Sequence, residues 1–483
     1  MKRILSSSRW FLAAAVLLLA CACSKVPFFG GNGEDDESLE YVNIFAYNVM
    51  RTYYLWVDEV REGLEAWKVN EPDPVAKVES LRYKDANGQE VDRWTALYDD
   101  YNEVYSYMTG NRKSYGLNFK IYAMDEAASR LVAVVLYTYA ESPARNAGLK
   151  RGDVIWEVNG QTLTTSNYSR IASEELLGGD QVTLTLGDGS QTTLTAVEMY
   201  DNPVHYAVVF DLGKKKAGYL HYTNFTPDSC QELIEVCKYF KSNGISDLIL
   251  DLRYNTGGYA FVEEVLASML APEADVAAGS VLSTEVYNSR LTEALGDTKT
   301  CLGTRHSIKS GGKQYEFNTE GANLGISHLY AIVDNWSASA SESLLCDLFP
   351  YLDITLVGRQ TGGKFCSGLL MRASAWYEEN AEELGDKAKG KDLVTSWGGY
   401  VMYSRFADKY GVTRCMPDGL TPDYEVKDNP LDGYEIGDPR ETMLAATLAL
   451  ASGMTPDAAQ LRSRKPVLAE LPLEQPAFRI VAP

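Results

Sequence analysis

The sequence predicts a multidomain chain with an α/β core, a β-rich domain inserted ahead of that core, and an N-terminal helical cap. Residues 39–110 place apolar side chains at three- and four-residue steps, the period of an amphipathic helix. Residues 113–200 contain short β-prone runs separated by Gly and Pro turns. Over residues 205–460, strand and helix patterns alternate, which favours a layered sheet with helices on its faces.

Composition and charge narrow the classes of function. The chain carries a formal net charge of −21. An acidic surface of this size repels phosphate backbones, so we expect no nucleic-acid partner. The four histidines are scattered, and the eight cysteines form no CxxC pair and no cluster with histidine at metal spacing. The sequence therefore predicts neither a metal site nor another cofactor.

The N-terminus is typical of an exported protein. Residues 1–20 combine a basic start with an apolar run, Phe11–Ala20, that is too short to span a bilayer stably. The run ends in Leu18-Leu19-Ala20-Cys21, which resembles a bacterial lipobox and implies cleavage before Cys21 and acylation of its thiol. Cys23 is a weaker acceptor, and a plain secretory signal is the alternative. We expect a protein of the bacterial cell envelope, lipid-anchored on the periplasmic or cell-surface face. A flexible acidic tether covers residues 21–38.

The helical cap over residues 39–110 is predicted from two segments. One face of the first helix carries Tyr41, Ile44, Phe45, Val49 and Tyr53. A second helix is expected over Arg93–Thr109. Helices that only pack on the next domain would show the same pattern, so the sequence assigns this region no chemical role.

The β-rich region carries a recognisable run between Glu141 and Ile155. Pro143 can open a short helix, Gly148 can end it, and Gly152 precedes a strand. Asn159-Gly160 is a hairpin signal. This run closely resembles the core of PDZ domains, and residues 113–200 are identified as a PDZ-like domain.

The resemblance to PDZ domains implies a peptide-binding loop upstream of this run. Its backbone N–H groups would take a terminal carboxylate, and the neighbouring strand edge would take the peptide as an extra strand. The loop maps onto Tyr115, Gly116, Leu117, Asn118 and Phe119. The alternative is a PDZ-shaped spacer that binds nothing.

The α/β core is read from a series of buried strands and helices. Strands are expected at Ala217–His221, Leu248–Leu252, Leu329–Val333 and Thr355–Val357, and helices at Pro227–Asn243 and Ser337–Phe349. Residues 278–325 and 376–392 are predicted to be polar, irregular insertions. Residues 461–483 are expected to form a C-terminal tail.

Three segments of the core carry residues suited to catalysis. The strand before Asn255 runs into Thr256-Gly257-Gly258, a turn that can expose backbone N–H groups as an oxyanion hole. Ser339 follows a second strand at the start of a helix, where the dipole favours negative charge. Lys364 lies on a glycine turn, and it can act as a general base only if burial lowers its pKa. Each segment alone has a structural explanation: a tight turn, a helix cap at Ser337, or a surface lysine.

Together the three segments closely resemble the carboxy-terminal processing peptidases, also called tail-specific proteases. The resemblance covers roughly residues 40–450 and extends to Gly218-Tyr219-Leu220 and Thr421-Pro422-Asp423. It implies a serine peptidase core in which Ser339 is the nucleophile and Lys364 the base, 25 positions apart. The N–H group of Ala340, with that of Gly257 or Gly258, would stabilise the oxyanion.

One position departs from the family pattern. Many members place Gln four residues after the lysine, where it helps to hold the dyad, whereas this chain has Gly368. Glu342, three residues after the serine, is the candidate that the resemblance offers for this support. His221 is not assigned as a third catalytic residue beside Ser339 and Lys364, because no acid is identifiable as its orienting partner.

The expected function is therefore a lipid-anchored serine endopeptidase. Its partners would be proteins and peptides with accessible C-terminal tails, captured by the PDZ-like domain. The alternative is a catalytically attenuated PDZ adaptor on a peptidase frame, for which Gly368 is the argument. A third reading, a surface protein that binds glycans or other nutrients, rests only on the lipobox and the aromatic content.

Overall fold

A computed structural model describes residues 37–124, 130–310, 312–456, 469–472 and 478–480. The predicted signal peptide, Cys21 and most of the tether lie outside the described residues. Among the helices of the described ranges, none combines the length and the apolar character needed to cross a bilayer.

The N-terminal region packs on the core and shares its hydrophobic cluster, so it is a cap without a separate core. Its elements are α1 (Glu37–Tyr53), α2 (Arg61–Glu65), α3 (Pro74–Ser80), β1 (Ala96–Tyr98) and α4 (Tyr101–Thr109).

The helix predicted over Arg93–Thr109 is therefore wrong in its first half. The three residues of β1 pair antiparallel with Gly398–Tyr400, which holds them extended. Asp100 then accepts hydrogen bonds from the N–H groups of Asn102 and Glu103 and starts α4.

The PDZ-like domain is an antiparallel sheet accompanied by a two-stranded ribbon. Its elements are β2 (Asn111–Ser114), β3 (Leu117–Ala123), β4 (Leu131–Thr138), α5 (Pro143–Asn146), β5 (Val154–Val158), β6 (Gln161–Thr162), α6 (Tyr168–Arg170), the π-helical segment Ile171–Leu177, β7 (Gln181–Leu186), β8 (Gln191–Thr195) and β9 (Val197–Tyr200). The ribbon joins β2 to β9, at the two ends of the domain, so the domain is an insertion. The predicted hairpin lies between β5 and β6, where Asn159 and Gly160 adopt positive φ.

The core contains two large sheets, a separate two-stranded sheet and the helices that accompany them. The elements that precede Ser339 are β10 (Val204–Asp211), β11 (Lys216–Tyr222), a 3₁₀ turn (Pro227–Ser229), α7 (Cys230–Ser242), β12 (Asp247–Asp251), β13 (Gly257–Tyr259), α8 (Ala260–Leu270), α9 (Glu273–Ala278), β14 (Val281–Tyr287), α10 (Ser289–Leu295), β15 (Thr298–Cys301), β16 (Arg305–Ser310), β17 (Lys313–Asn318) and β18 (His328–Val333).

The remaining elements of the chain follow Ser339. They are α11 (Ala340–Leu348), β19 (Asp353–Gly358), β20 (Cys366–Arg372), α12 (Ala373–Glu379), α13 (Ala381–Leu384), a 3₁₀ segment (Gly385–Asp392), β21 (Gly398–Asp408), β22 (Tyr424–Glu425), a 3₁₀ turn (Pro430–Asp432), α14 (Thr442–Ala451), β23 (Ala469–Glu470) and β24 (Phe478–Ile480).

The two core sheets place the catalytic candidates at one edge. The first sheet has the order β10-β11-β12-β18-β19-β22 and is parallel from β11 onward. The second has the order β13-β24-β20-β21-β14-β15, with β1 on β21. The carboxyl ends of β12 and β18 meet where β13 and α11 begin, because parallel strands end at the same edge of a sheet.

Both predicted insertions proved to be regular structure. Residues 278–325 contain β14, an interior strand of the second sheet, and residues 376–392 are helical. β14 was not predicted because it contains polar residues, which usually indicate an exposed segment. Here they are buried and paired with polar groups of the adjoining strands. The carboxylate of Glu285 accepts hydrogen bonds from Ser404 and Ser367 on the adjoining strands. The tail also contains structure, since β23 joins the sheet of the PDZ-like domain and β24 joins the second core sheet.

Candidate active site

The turn that precedes Ser339 is fixed to its neighbour by a single carboxylate. Asp334 ends β18, and its Oδ1 accepts the N–H groups of Tyr254, Trp336 and Ser337 at 3.1, 3.1 and 3.2 Å. The hydroxyl of Ser337 donates to the carbonyl of Leu252 at 2.8 Å. The structural role considered for Ser337 is therefore present, but it braces the turn rather than capping α11.

Ser339 occupies the strained position at the start of α11. Its φ of 63° lies in the left-handed region, which is unfavourable for a residue with a side chain. Its Oγ is buried and meets no hydrogen-bond partner among the described residues. A buried hydroxyl without a partner, held by backbone strain at a helix N-terminus, has the features of a nucleophile kept in position.

Lys364 is buried in an aromatic environment. Its Nζ donates to the hydroxyl of Tyr400 at 2.8 Å. The same nitrogen lies 5.6 Å from the ring centre of Trp94 and 4.9 Å from that of Tyr400. The exposed fraction of Lys364 is 0%, which excludes the surface lysine that a glycine turn alone would suggest.

Glu342 joins the serine and lysine segments through their backbones. Its Oε2 accepts the N–H groups of Ser339 at 3.0 Å and Lys364 at 2.8 Å. Its Oε1 accepts the N–H group of Gly363 at 2.7 Å and the hydroxyl of Thr361. Burial raises the pKa of the Glu342 carboxyl, and these hydrogen bonds act against that rise. Glu342 thus contacts the backbones of both candidate catalytic residues.

The side chain of Tyr400 explains why position 368 is glycine and not glutamine. A Cβ at Gly368 would lie 2.0 to 2.3 Å from atoms of the Tyr400 ring. No glutamine side chain fits there while the ring is present. Tyr400 thus occupies the space beside Gly368 and supplies a polar contact to Lys364. No sequence motif marks Tyr400, although Gly398 and Gly399 immediately before it mark a strand with room for a close neighbour.

The glycine turn favours one of the two predicted oxyanion donors. The N–H group of Gly257 donates to Asn255 Oδ1 at 2.9 Å, so it is already engaged. Gly258 has a φ of 138°, and a Cβ there would lie 2.4 Å from the carbonyl oxygen of Phe225. Only glycine fits this position. Ala340 is the first residue of α11, directly after Ser339.

The predicted peptide-binding loop packs its larger side chains into the PDZ-like domain. Tyr115, Leu117 and Phe119 are buried in its core. The N–H group of Gly116 donates to Ser114 Oγ at 2.9 Å, and Asn118 donates to the hydroxyl of Tyr137 at 3.1 Å. Beyond the loop, the outer edge of β3 pairs with β23, so the edge predicted to receive a peptide is occupied by a short strand.

The remaining titratable candidates are structural. His221 is fully buried, and its Nδ1 lies 3.0 Å from Nδ1 of His205. Burial lowers the pKa of His221 well below its usual value. No group of three or more His, Cys, Asp or Glu side chains within the described ranges is arranged to hold a metal ion.

Comparison with known proteins identifies two regions of the chain. Residues 216–373 match peptidase family S41, and residues 134–186 match the PDZ domain family. Together they confirm the resemblance drawn from the motifs.

Two curated relatives carry related names. The carboxyl-terminal-processing protease of Synechocystis sp. is 25% identical over 332 residues, which is 66% of this chain and 65% of that protein. The chloroplastic carboxyl-terminal-processing peptidase 1 of Arabidopsis thaliana is 25% identical over 70% of this chain and 63% of its own length. The chain thus spans slightly less than two thirds of the length of these relatives.

The solved structures include one with a closely similar overall fold. A crystal structure from Bacteroides fragilis, assigned to the S41 proteases, superposes with a TM-score of 0.61. It is 22% identical and covers 89% of this chain and 99% of its own. This similarity shows that the fold, an α/β core with an inserted PDZ domain, is shared.

Proposed function

We propose, from the premise that the chain combines a peptidase family S41 domain with a PDZ domain, that it is a serine endopeptidase acting through Ser339 and Lys364. The observation that carries the proposal is the single carboxylate of Glu342. It binds the backbone N–H groups of both residues, at 3.0 and 2.8 Å. Two segments that are distant in sequence are thereby fixed as one unit, as a catalytic pair requires.

The reaction follows from the chemistry of these groups. Lys364, in its neutral form, takes the proton from Ser339 Oγ, which attacks the carbonyl carbon of the substrate peptide. The new C–O bond pushes negative charge onto the carbonyl oxygen, where the N–H groups of Ala340 and Gly258 stabilise it. Collapse breaks the C–N bond, and the Lys364 ammonium returns the proton to the leaving amine. Water, deprotonated by the same lysine, then releases the acyl group from Ser339.

The surroundings of Lys364 suit a base. Burial disfavours the charged form of a lysine, so an enclosed position helps to keep the amine neutral between proton transfers. Tyr400 receives a hydrogen bond from Nζ and limits the positions that Nζ can adopt. We assign Tyr400 the positioning role that glutamine has in many relatives.

The PDZ domain supplies a place for the substrate chain. The edge of β3 can pair with one strand of a substrate once the two-residue strand β23 is displaced, and strand addition recognises a backbone with little regard to its side chains. Protein substrates with accessible tails are therefore the proposed partners. We further propose export to the bacterial cell envelope and anchoring through acylated Cys21, on the basis of the lipobox.

Tyr400→Phe is expected to lower kcat about 2- to 10-fold with little change in KM. The change removes the acceptor of the Lys364 hydrogen bond, an interaction of about 0.5–1.5 kcal/mol for a neutral donor. The same assay on Tyr403→Phe controls for the loss of a buried hydroxyl from the same strand. A fall confined to KM would contradict the positioning role.

Gly368→Gln offers a complementary test of the same site. Alone, it should lower activity because its side chain clashes with the Tyr400 ring. Combined with Tyr400→Ala, which clears the space, it should recover part of the activity that each single change removes. A double variant no better than the worse single variant would refute the exchange of Tyr400 for glutamine.

The proposed function is tested by hydrolysis of an unfolded protein and of tailed peptides by the chain from residue 24 onward. We expect cleavage of both. Tail peptides that bind without being cleaved would instead support the adaptor function. Gly368 was the argument for that alternative, and it loses its force because Tyr400 contacts Lys364 directly.

A further inference from the structure

The segment that follows α14 returns to the PDZ domain and pairs with its peptide-binding edge. Ala469 and Glu470 pair antiparallel with Ala123 and Tyr122 of β3. The N–H group of Leu471 donates to the carbonyl of Ile121 at 3.0 Å, and Leu471 packs against the domain core. An extended chain with backbone pairing and one apolar anchor is the geometry of strand addition by a peptide ligand.

Glu470 is bound by two cations at the boundary between the domains. Its Oε1 lies 3.0 Å from Nζ of Lys120, and its Oε2 lies 2.9 Å from Nη1 of Arg359. Asn335 donates to the same carboxylate at 3.5 Å. Lys120 belongs to the PDZ strand β3, whereas Arg359 and Asn335 belong to the peptidase core. An acidic side chain at this place therefore links the two domains.

The Glu470 contact is also connected to the catalytic turn. Nζ of Lys120 lies 3.0 Å from Oδ2 of Asp334 and 4.3 Å from the ring centre of Trp336. The other oxygen of Asp334 holds the turn that leads to Ser339. Lys120 is only 3% exposed, so its two carboxylate partners act in a low-dielectric environment where ion pairs are stronger.

The same segment continues to the catalytic edge of the core. Phe478–Ile480 pairs in parallel with Gly257–Tyr259, the strand that carries the proposed oxyanion donor, and reaches Gly368. Ser339 and Lys364 are both 0% exposed in this arrangement. A nucleophile that is fully enclosed cannot meet a polypeptide, so the residues around Ser339 must move before a substrate binds, and β24 is one of the strands at this edge.

We propose that the two described stretches 469–472 and 478–480 are an intramolecular ligand of the substrate-binding track, and that Lys120 and Arg359 form its subsite for an acidic residue. This rests on the proposed peptidase function. Protein substrates that present an acidic residue followed by an apolar one would compete with the segment for β3 and for this subsite. The described pairing is short, two residues on β3 and three on β13, and such short strands can be exchanged.

The proposal is tested by binding measurements in the full chain carrying Ser339→Ala. The probe is a fluorescent peptide with the sequence of residues 465–476. Glu470→Lys reverses the charge that faces Lys120 and Arg359, and Arg479→Pro removes a backbone N–H from β24. Released from the internal ligand, the double variant should bind the probe about tenfold more tightly or better, because occupancy by the segment reduces apparent affinity. Glu383→Gln, on an exposed side chain, should leave the affinity unchanged.

The outcomes separate this proposal from the proposed catalytic function. Equal affinity in the double variant and its parent would overturn the internal ligand, whatever the hydrolysis assays show. A probe whose own glutamate at position 470 is replaced by glutamine, and which binds the released variant equally well, would overturn the acidic subsite. Tighter probe binding in the released variant, together with no hydrolysis by the same chain with Ser339 intact, would refute the catalytic function and leave the internal ligand in place.

Discussion

Replacing Ser339 with alanine is expected to abolish hydrolysis, with a fall of about 10⁴-fold or more, and to leave tail-peptide affinity unchanged. Removing a covalent nucleophile has effects of this size in serine peptidases. The side chain contributes little to folding, because Oγ has no hydrogen-bond partner among the described residues. Cleavage of an unfolded protein and anisotropy of a labelled tail peptide measure the two quantities separately.

Two further variants complete this test. Lys364→Met should lose hydrolysis to a similar extent, because the change removes the amine that takes the proton from Ser339. Ser341→Ala controls for the loss of a neighbouring hydroxyl, which donates to the Asn255 carbonyl at 3.0 Å, and should retain most of the activity. Hydrolysis that persists in Ser339→Ala would show that another residue is the nucleophile.

Glu342→Gln is expected to lower both stability and catalysis. Each oxygen of the Glu342 carboxylate accepts two hydrogen bonds. An amide nitrogen in place of either oxygen would face two donors without accepting from them. Leaving buried donors unsatisfied costs about 1–3 kcal/mol each, so we expect the free energy of unfolding to fall by about 2–4 kcal/mol. Hydrolysis should fall about 100-fold, because the backbones of Ser339 and Lys364 lose their common anchor.

Urea unfolding and steady-state kinetics on Glu342→Gln measure these effects. The matched control is Glu383→Gln, which makes the same chemical change on an exposed side chain. A Glu342→Gln protein with unchanged kinetics would show that the carboxylate does not position the catalytic pair.

The local sequence patterns located the serine and the lysine because both lie on short turns after strands. Such turns require small residues, and the small residues are visible in the sequence. Tyr400 could not be found in this way. Its role depends on the pairing of β20 with β21, which brings a residue 36 positions away against Lys364. The contact depends on the register between β20 and β21. The residues flanking Lys364 or Tyr400 in the sequence do not determine that register.

The missed strand and the missed tail have different physical causes. In β14 the buried Glu285 looks like a surface residue, because sequence cannot show that Ser367 and Ser404 will satisfy its carboxylate. The tail pairs with strands that lie hundreds of residues upstream, and its two- and three-residue strands are too short to leave a period. The PDZ core was predictable because its turn chemistry is local.

The link between Lys120 and Asp334 suggests how peptide capture is communicated to the serine. The side chain of Lys120 extends from the sheet of the PDZ domain and donates to the carboxylate of Asp334, which holds the turn before Ser339. A peptide that displaces Glu470 without supplying an acidic residue leaves Lys120 paired with Asp334 alone, whereas one with an acidic residue restores the second partner. Capture and catalysis would then be coupled through one buried side chain.

The central claim, that Ser339 forms a covalent intermediate with Lys364 as its base, is tested most directly by trapping that intermediate. The protein would be quenched in acid while it hydrolyses an unfolded substrate, digested, and analysed by peptide mass spectrometry. We expect an acyl group on the peptide that contains Ser339, and none in Lys364→Met. An acyl group on another residue, or an equal yield in Lys364→Met, would contradict it.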